Sequence, residues 1–372
     1  MYTDFRKQLQ SKLAAINDAG LFNERGTIMS GKAVIDTDNS QMLNFRSPYP
    51  FQLNICPSEQ YVENVSAATL EKRIANLLNA DDCLLYNSPA DAGCAIANHL
   101  LSRTGALIYN SLGQFAISGS PVFCRATKYK YHGFDAEDIE KQLKLAQAQQ
   151  NRLLIIDAVD IATGNIAPLN RIFGLAAKYN ALVAIDQTLS AGLIGKSGKG
   201  VCTLFDTDVT AEIQTGSLQN FGCSGAYIAG RREIVDYLRQ QTSAFQTSAP
   251  ITPHDIATIC ATIDAIADMD AERQYILQIT NYFIKKLYCL GLEIPPTQTL
   301  RFAVMTGNSD RSETIAETLA KKGVLVTALA TPHIGKDQCR LILSLSASHT
   351  KDDVEKAASV FESIKTMFPA RQ

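Results

Sequence analysis

Apolar side chains recur along this chain with two different periods. Near the start Phe5, Leu9, Leu13 and Ile16 fall at helical spacing and the pattern stops at Gly20, which predicts an amphipathic helix over 4–20 closed by a glycine. Short alternating runs follow as far as Phe45, and Pro48, Pro50 and Pro57 then interrupt any regular element, so 46–60 reads as loop. An amphipathic stretch at 67–79 predicts the next helix. From residue 83 the chain alternates short apolar runs with amphipathic stretches. Strands are expected at 83–86, 105–109, 121–124, 153–156 and 181–185, and helices at 90–102, 112–119, 135–149 and 169–179. The runs at 121–124 and 153–156 are apolar throughout, as strands are when helices cover both faces of a mostly parallel sheet. Asp135, with Glu137 and Asp138 in the following turn, is a start signal for its helix, because carboxylates there complement the helix dipole.

Beyond Gly230 come a charged helix over 232–239, a Ser/Thr/Pro-rich connection at 242–253 and a helix-rich passage to Leu290. A second αβ unit follows: strand 301–305, helix 312–322, strands 324–329 and 340–344, and helix 351–364. There is no internal repeat and no low-complexity segment.

Composition narrows the function. With 46% hydrophobic and 19% charged residues, a chain of 372 residues can bury a large core in two or three compact units. The net charge of −2, from 35 basic and 37 acidic residues mixed along the chain, offers no footprint for nucleic acid or an anionic membrane. The first residues lack the apolar core of a signal peptide and no run reaches the length of a membrane span, so a soluble, cytoplasmic protein is expected. Nine cysteines without a C-x-x-C pair, among them Cys83, Cys94, Cys260 and Cys289 in apolar contexts, suggest reduced, packed thiols.

The segment 213–230, IQTGSLQNFGCSGAYIAG, supplies the strongest chemical signal. It resembles the loop that carries the Schiff-base lysine in the α-oxoamine synthases, enzymes dependent on pyridoxal phosphate (PLP) that include the 2-amino-3-ketobutyrate CoA ligases and 8-amino-7-oxononanoate synthases. Asn44-Phe45 after the N-terminal helix, Thr69-Leu70-Glu71 at the head of a helix, and the ending Ala347-Ser348-His349-Thr350 after strand 340–344 resemble the same family in order and spacing. The resemblance implies an aspartate-aminotransferase-like α/β fold, PLP fold type I, with a mostly parallel central sheet and a smaller C-terminal α+β domain. It divides the chain into an N-terminal arm (1–45), a large domain (46–290) and a C-terminal domain (291–372). It also implies a homodimer, or a heteromer with an active paralogue, and no nucleic-acid or membrane partner.

The family's chemistry is where the residues depart. Matching Phe221-Gly222-Cys223-Ser224-Gly225 puts Gln219 at the lysine position, whereas matching Thr215-Gly216-Ser217-Leu218 puts Asn220 there, and no lysine occurs between Lys199 and Lys285. The resemblance assigns Asp186 to the pyridinium nitrogen. It places Leu189 where a histidine stands, Gln114 where a histidine stacks on the ring, Ile161 where a serine binds the cofactor, and Ile342 where an arginine grips the substrate carboxylate. Ser88 at a helix start, with Thr215 and Ser217, completes the vestigial cofactor set. Losing one oriented catalytic group costs on the order of 10²–10⁴ in rate. The combined losses lead to the expectation of a pseudoenzyme without cofactor, acting as a scaffold or regulatory subunit. The alternative is a PLP- or acyl-CoA-using acyltransferase, or a repurposed reaction in the same cleft. Gly195-Lys196-Ser197 resembles a phosphate-loop ending without its leading glycine, and the five histidines lie in no hydrolase or metalloprotease motif.

Overall fold

A computed structural model describes residues 2–18, 27–28, 33–35, 41–46, 50–51, 53, 55–205, 211–242, 251–330, 334–335 and 338–369. The first helix spans Tyr2–Asp18. Three short strands follow, β1 (Thr27–Ile28), β2 (Ala33–Ile35) and β3 (Gln41–Asn44).

The central sheet has seven strands: β4 (Asp82–Tyr86), β5 (Ala106–Asn110), β6 (Thr127–Tyr131), β7 (Arg152–Asp157), β8 (Leu182–Asp186), β9 (Ile213–Ser217) and β10 (Ala226–Gly230), in the order β4-β10-β9-β8-β7-β5-β6. The run from β9 to β6 is parallel, and β10 is antiparallel to both its neighbours. Alternation explains why the inner strands are apolar on both faces. In β7, Leu153 and Ile155 pack with Ile96 and Val235, beneath helices Pro89–His99 and Arg232–Gln241. Leu154 and Ile156 face the other way, against Ile139 and Ile172 of helices Ala136–Leu145 and Leu169–Lys178. Burying each such side chain stabilises the fold by about 1.5–3 kcal/mol.

A third sheet near the C-terminus joins β11 (Arg301–Gly307), β13 (Thr327–Leu329) and β14 (Cys339–Ser344), all antiparallel, in the order β11-β14-β13. Between them in sequence, β12 (Val324–Leu325) instead runs parallel to β3, pairing Val324 with Leu43 and Leu325 with Asn44. The single strand expected over 324–329 is therefore two strands serving two sheets.

Four further expectations are corrected. Residues 120–123 form a helical turn, entered through Gly119 at φ 77° with Pro121 in the first turn, and Val122 and Phe123 are exposed. The strand expected there lies at Thr127–Tyr131, where Lys128 and Lys130 break the apolar pattern; it is the sheet's edge, and lysines blunt edges against unwanted pairing. The helix expected at 112–119 shortens to Gln114–Ile117, and the loop expected over 46–60 gives way to a helix at Glu59–Asn64. Cys289, expected to be packed, is exposed at the end of helix Asp270–Cys289, although all nine cysteines are free thiols. No helix among the described residues is long and apolar enough to cross a membrane.

Candidate functional site

Strands β7 and β8 end side by side on Asp157 and Asp186. Carboxyl ends of parallel strands are where open α/β sheets place ligand groups, and here they form the floor of a cleft of about 430 Å³. Both acids are buried. Asp186 faces the cleft and accepts the backbone N–H of Thr188 at 2.7 Å; burial raises its pKa, and no cationic side chain pairs with it among the described residues. Asp157 is held from behind, accepting Gln114 N–H at 2.7 Å and Asn110 Nδ2–H at 3.2 Å. Burial first, and the charge of Asp186 second, push its pKa up to about 7. Gly113 lets Asp157 in: a Cβ there would lie 2.1 Å from its Oδ2.

The loop after β9 forms one wall. A short 3₁₀ turn, Leu218–Phe221, is capped by Ser217, whose hydroxyl accepts Gln219 N–H at 3.2 Å, and closes on Gly222 at φ 84°. Gln219 and Asn220 both line the cleft. Gln219 is exposed, whereas Asn220 is buried, its Nδ2 donating to the carbonyls of Thr188 at 2.7 Å and Ala191 at 2.9 Å. The Thr215 hydroxyl donates to the Tyr227 carbonyl at 2.9 Å, within the sheet. Opposite, Ser88 caps helix Pro89–His99 by accepting Asp91 N–H at 3.1 Å, with Pro89 at the helix start.

The sequence-derived residues Ser88, Gln114, Ile161, Asp186, Leu189, Thr215, Ser217, Gln219 and Asn220 thus meet around one cleft. Ile342 does not line it; it is buried in β14 opposite Ala303. Two basic residues that sequence reasoning missed do line it: Arg46, just after β3, and Arg301, at the head of β11. A charged residue opening an otherwise apolar strand was the available signal for Arg301.

These residues fit a pyridine ring with a protonated nitrogen. The cleft is open, its floor presents a buried carboxylate without a counter-ion, and Val159 and Ile161 supply apolar wall. The phosphate end is less complete, because Ser88 Oγ is engaged with Asp91 Oδ2 at 2.8 Å and that carboxylate already complements the helix N-terminus. Among the described residues no lysine lines the cleft, so the residues suit noncovalent holding.

Residues 54–361 match the family described as aminotransferase class I and II. The 2-amino-3-ketobutyrate coenzyme A ligase of Salmonella typhimurium is 28% identical over 98% of this chain and 98% of its own length. The 8-amino-7-oxononanoate synthase 1 of Bacillus velezensis is 28% identical over 79% of this chain and 75% of its own. Among solved structures, a lysine-to-alanine variant of serine palmitoyltransferase from S. paucimobilis with bound PLP–myriocin aldimine has a TM-score of 0.86 at 16% identity, covering 97% of each chain. That identity speaks to the fold alone. The expectation of a chain without cofactor is overturned by these matches: its relatives are PLP enzymes, and the cleft that would hold the group has not been filled by side chains. The chain belongs to the aminotransferase class I and II family, with the PLP-dependent fold type I and α-oxoamine synthases among its relatives.

Proposed function

We propose that the protein is a PLP-binding acyltransferase of the α-oxoamine type, joining an acyl-CoA to an amino acid, and that it holds its cofactor without a covalent bond. The observation that carries this reading is the open cleft ending on the buried carboxylate of Asp186, which has no counter-ion among the described residues. When bound, PLP supplies an electron sink for the amino-acid substrate. The chain supplies the rest. Asp186 holds the ring nitrogen in its protonated form, and Val159 and Ile161 exclude water from one side. A neighbouring apolar pocket of about 380 Å³, which shares Leu189, Leu193, Thr299 and Leu300 with the cleft, has room for the acyl portion. The assembly we propose is a homodimer.

A second reading, binding without turnover, draws on a specific observation. Among the described residues neither lysine nor histidine lines the cleft, and the Asn220 amide is engaged by two backbone carbonyls, so the turn itself offers no base where the family's amine would stand. Titration with PLP, followed by absorbance and by release of coenzyme A thiol from acetyl-CoA with a panel of amino acids, separates the two. We expect saturable binding that dialysis reverses, no pyridoxyl-lysine after borohydride, and PLP-dependent thiol release. Binding without thiol release would assign the protein to the second reading. A stoichiometric pyridoxyl-lysine would overturn noncovalent holding, and no PLP binding would overturn both readings.

A further inference from the structure

The acidic floor of the cleft has a basic counterpart at its outer edge. Arg301 opens β11 directly opposite Ser344 of β14, and Ala303 lies opposite Ile342. Directly opposed residues, and residues two apart, share one face of a sheet. Arg301 therefore stands on the same face as Ile342, as its diagonal neighbour at about 7–8 Å, within the sweep of a guanidinium. Its backbone is fixed firmly. Thr297 Oγ1 donates to Arg301 O at 2.6 Å, Arg301 N donates to Thr299 Oγ1 at 3.3 Å, and Thr299 Oγ1 donates to Gly164 O at 2.9 Å. Gly164, at φ 77°, permits this clasp: a Cβ there would lie 2.0 Å from Arg301 O.

The guanidinium itself is under-used. Among the described residues its one hydrogen bond is Nε–H to Ile161 O at 3.0 Å, and no carboxylate lies at ion-pair distance. Asp160 is the acid close enough to act on it, and Asp160 Oδ1 already accepts Ala162 N–H at 2.7 Å. Burial lowers the Arg301 pKa to about 10, against the opposing pull of Asp160. A half-buried cation without an acidic partner carries a desolvation cost that an anionic ligand would offset. Arg46 lines the same cleft with its Nε donating to Val326 O at 2.6 Å.

We propose that Arg301, assisted by Arg46, reads the carboxylate of an amino-acid ligand, standing in from β11 for the guanidinium that Ile342 lacks on β14. This rests on the PLP-binding reading above. A guanidinium anchored through Nε keeps its two Nη groups for a carboxylate, the planar pairing that arginine favours over lysine.

Two probes test it by calorimetry: pyridoxamine 5′-phosphate, which has no carboxylate, and N-(5′-phosphopyridoxyl)glycine, which has one. The wild-type protein is expected to bind the glycine conjugate roughly 10–100-fold more tightly, the range of a charge-assisted hydrogen-bond pair. Arg301→Met should remove that preference while pyridoxamine phosphate binds as before, which also reports an intact fold. Arg301→Lys should restore only part of the preference, and Arg46→Met should reduce it. Discrimination retained in Arg301→Met, or affinity for both probes falling equally in the variants, would overturn the assignment. Failure of both probes to bind the wild type would overturn the cofactor reading, and this one with it.

Discussion

Asp157 and Asp186 are adjacent carboxylates with different duties. Asp186 faces the cleft, while Asp157 is tied to Asn110 and Gln114, its pKa raised from an ordinary 3.8 to about 7. A carboxyl whose folded pKa lies above its unfolded value binds its proton more tightly when folded. Its contribution to stability is complete below about pH 4 and is lost as pH rises through about 7. Replacing Asp157 with Asn should flatten this dependence, leaving the variant more stable than the wild type at pH 8 by on the order of a few kcal/mol and little changed near pH 4. Thermal unfolding across that window checks it, and an unaltered pH profile would refute the assignment. Asp186 could be read from the sequence because an acid ends an apolar run. For Arg301 the sequence shows only a charge opening an apolar strand; its place at the cleft depends on β11 meeting β14 and on the clasp to Gly164, contacts between segments far apart in the chain.

The turn between β9 and β10 gives two neighbouring cleft-lining amides different surroundings. Asn220 is buried and its amide secures the 188–191 segment, whereas Gln219 is exposed at the cleft. Asn220→Ala leaves two carbonyls without their donor and should cost about 1–3 kcal/mol. Gln219→Ala should stay within about 0.5 kcal/mol, as surface changes do. Urea unfolding of both variants separates them, and equal losses would contradict these distinct roles. Most elements of the central sheet were readable because a strand covered on both faces is apolar through its middle, as β7 is between Arg152 and Asp157. β6 was not, because an edge strand keeps only part of that signature: Thr127, Lys128 and Lys130 are exposed and Tyr131 alone is buried. Likewise nothing local distinguishes β12 from β13, whose partners lie in different sheets.

The N-terminal segment ties distant parts of the chain together. Beside the β3–β12 pairing, Phe45 is fully buried, stacked on His349 at 4.7 Å and tilted against Phe283 at 5.2 Å, while its carbonyl accepts Ser344 N–H at 2.8 Å. Phe45→Ala should destabilise the protein by about 3–5 kcal/mol. It should also loosen Arg46 next to it; denaturant unfolding reads the first effect, and a loss below about 1 kcal/mol would show that this junction does not hold the segment. Among the described residues, the cleft that these parts enclose contains no amine to tether what it holds. A ligand kept there by contacts alone comes and goes by mass action, so the fraction of protein in working form would follow the supply of free cofactor around it. In such a protein occupancy becomes a readout of its surroundings.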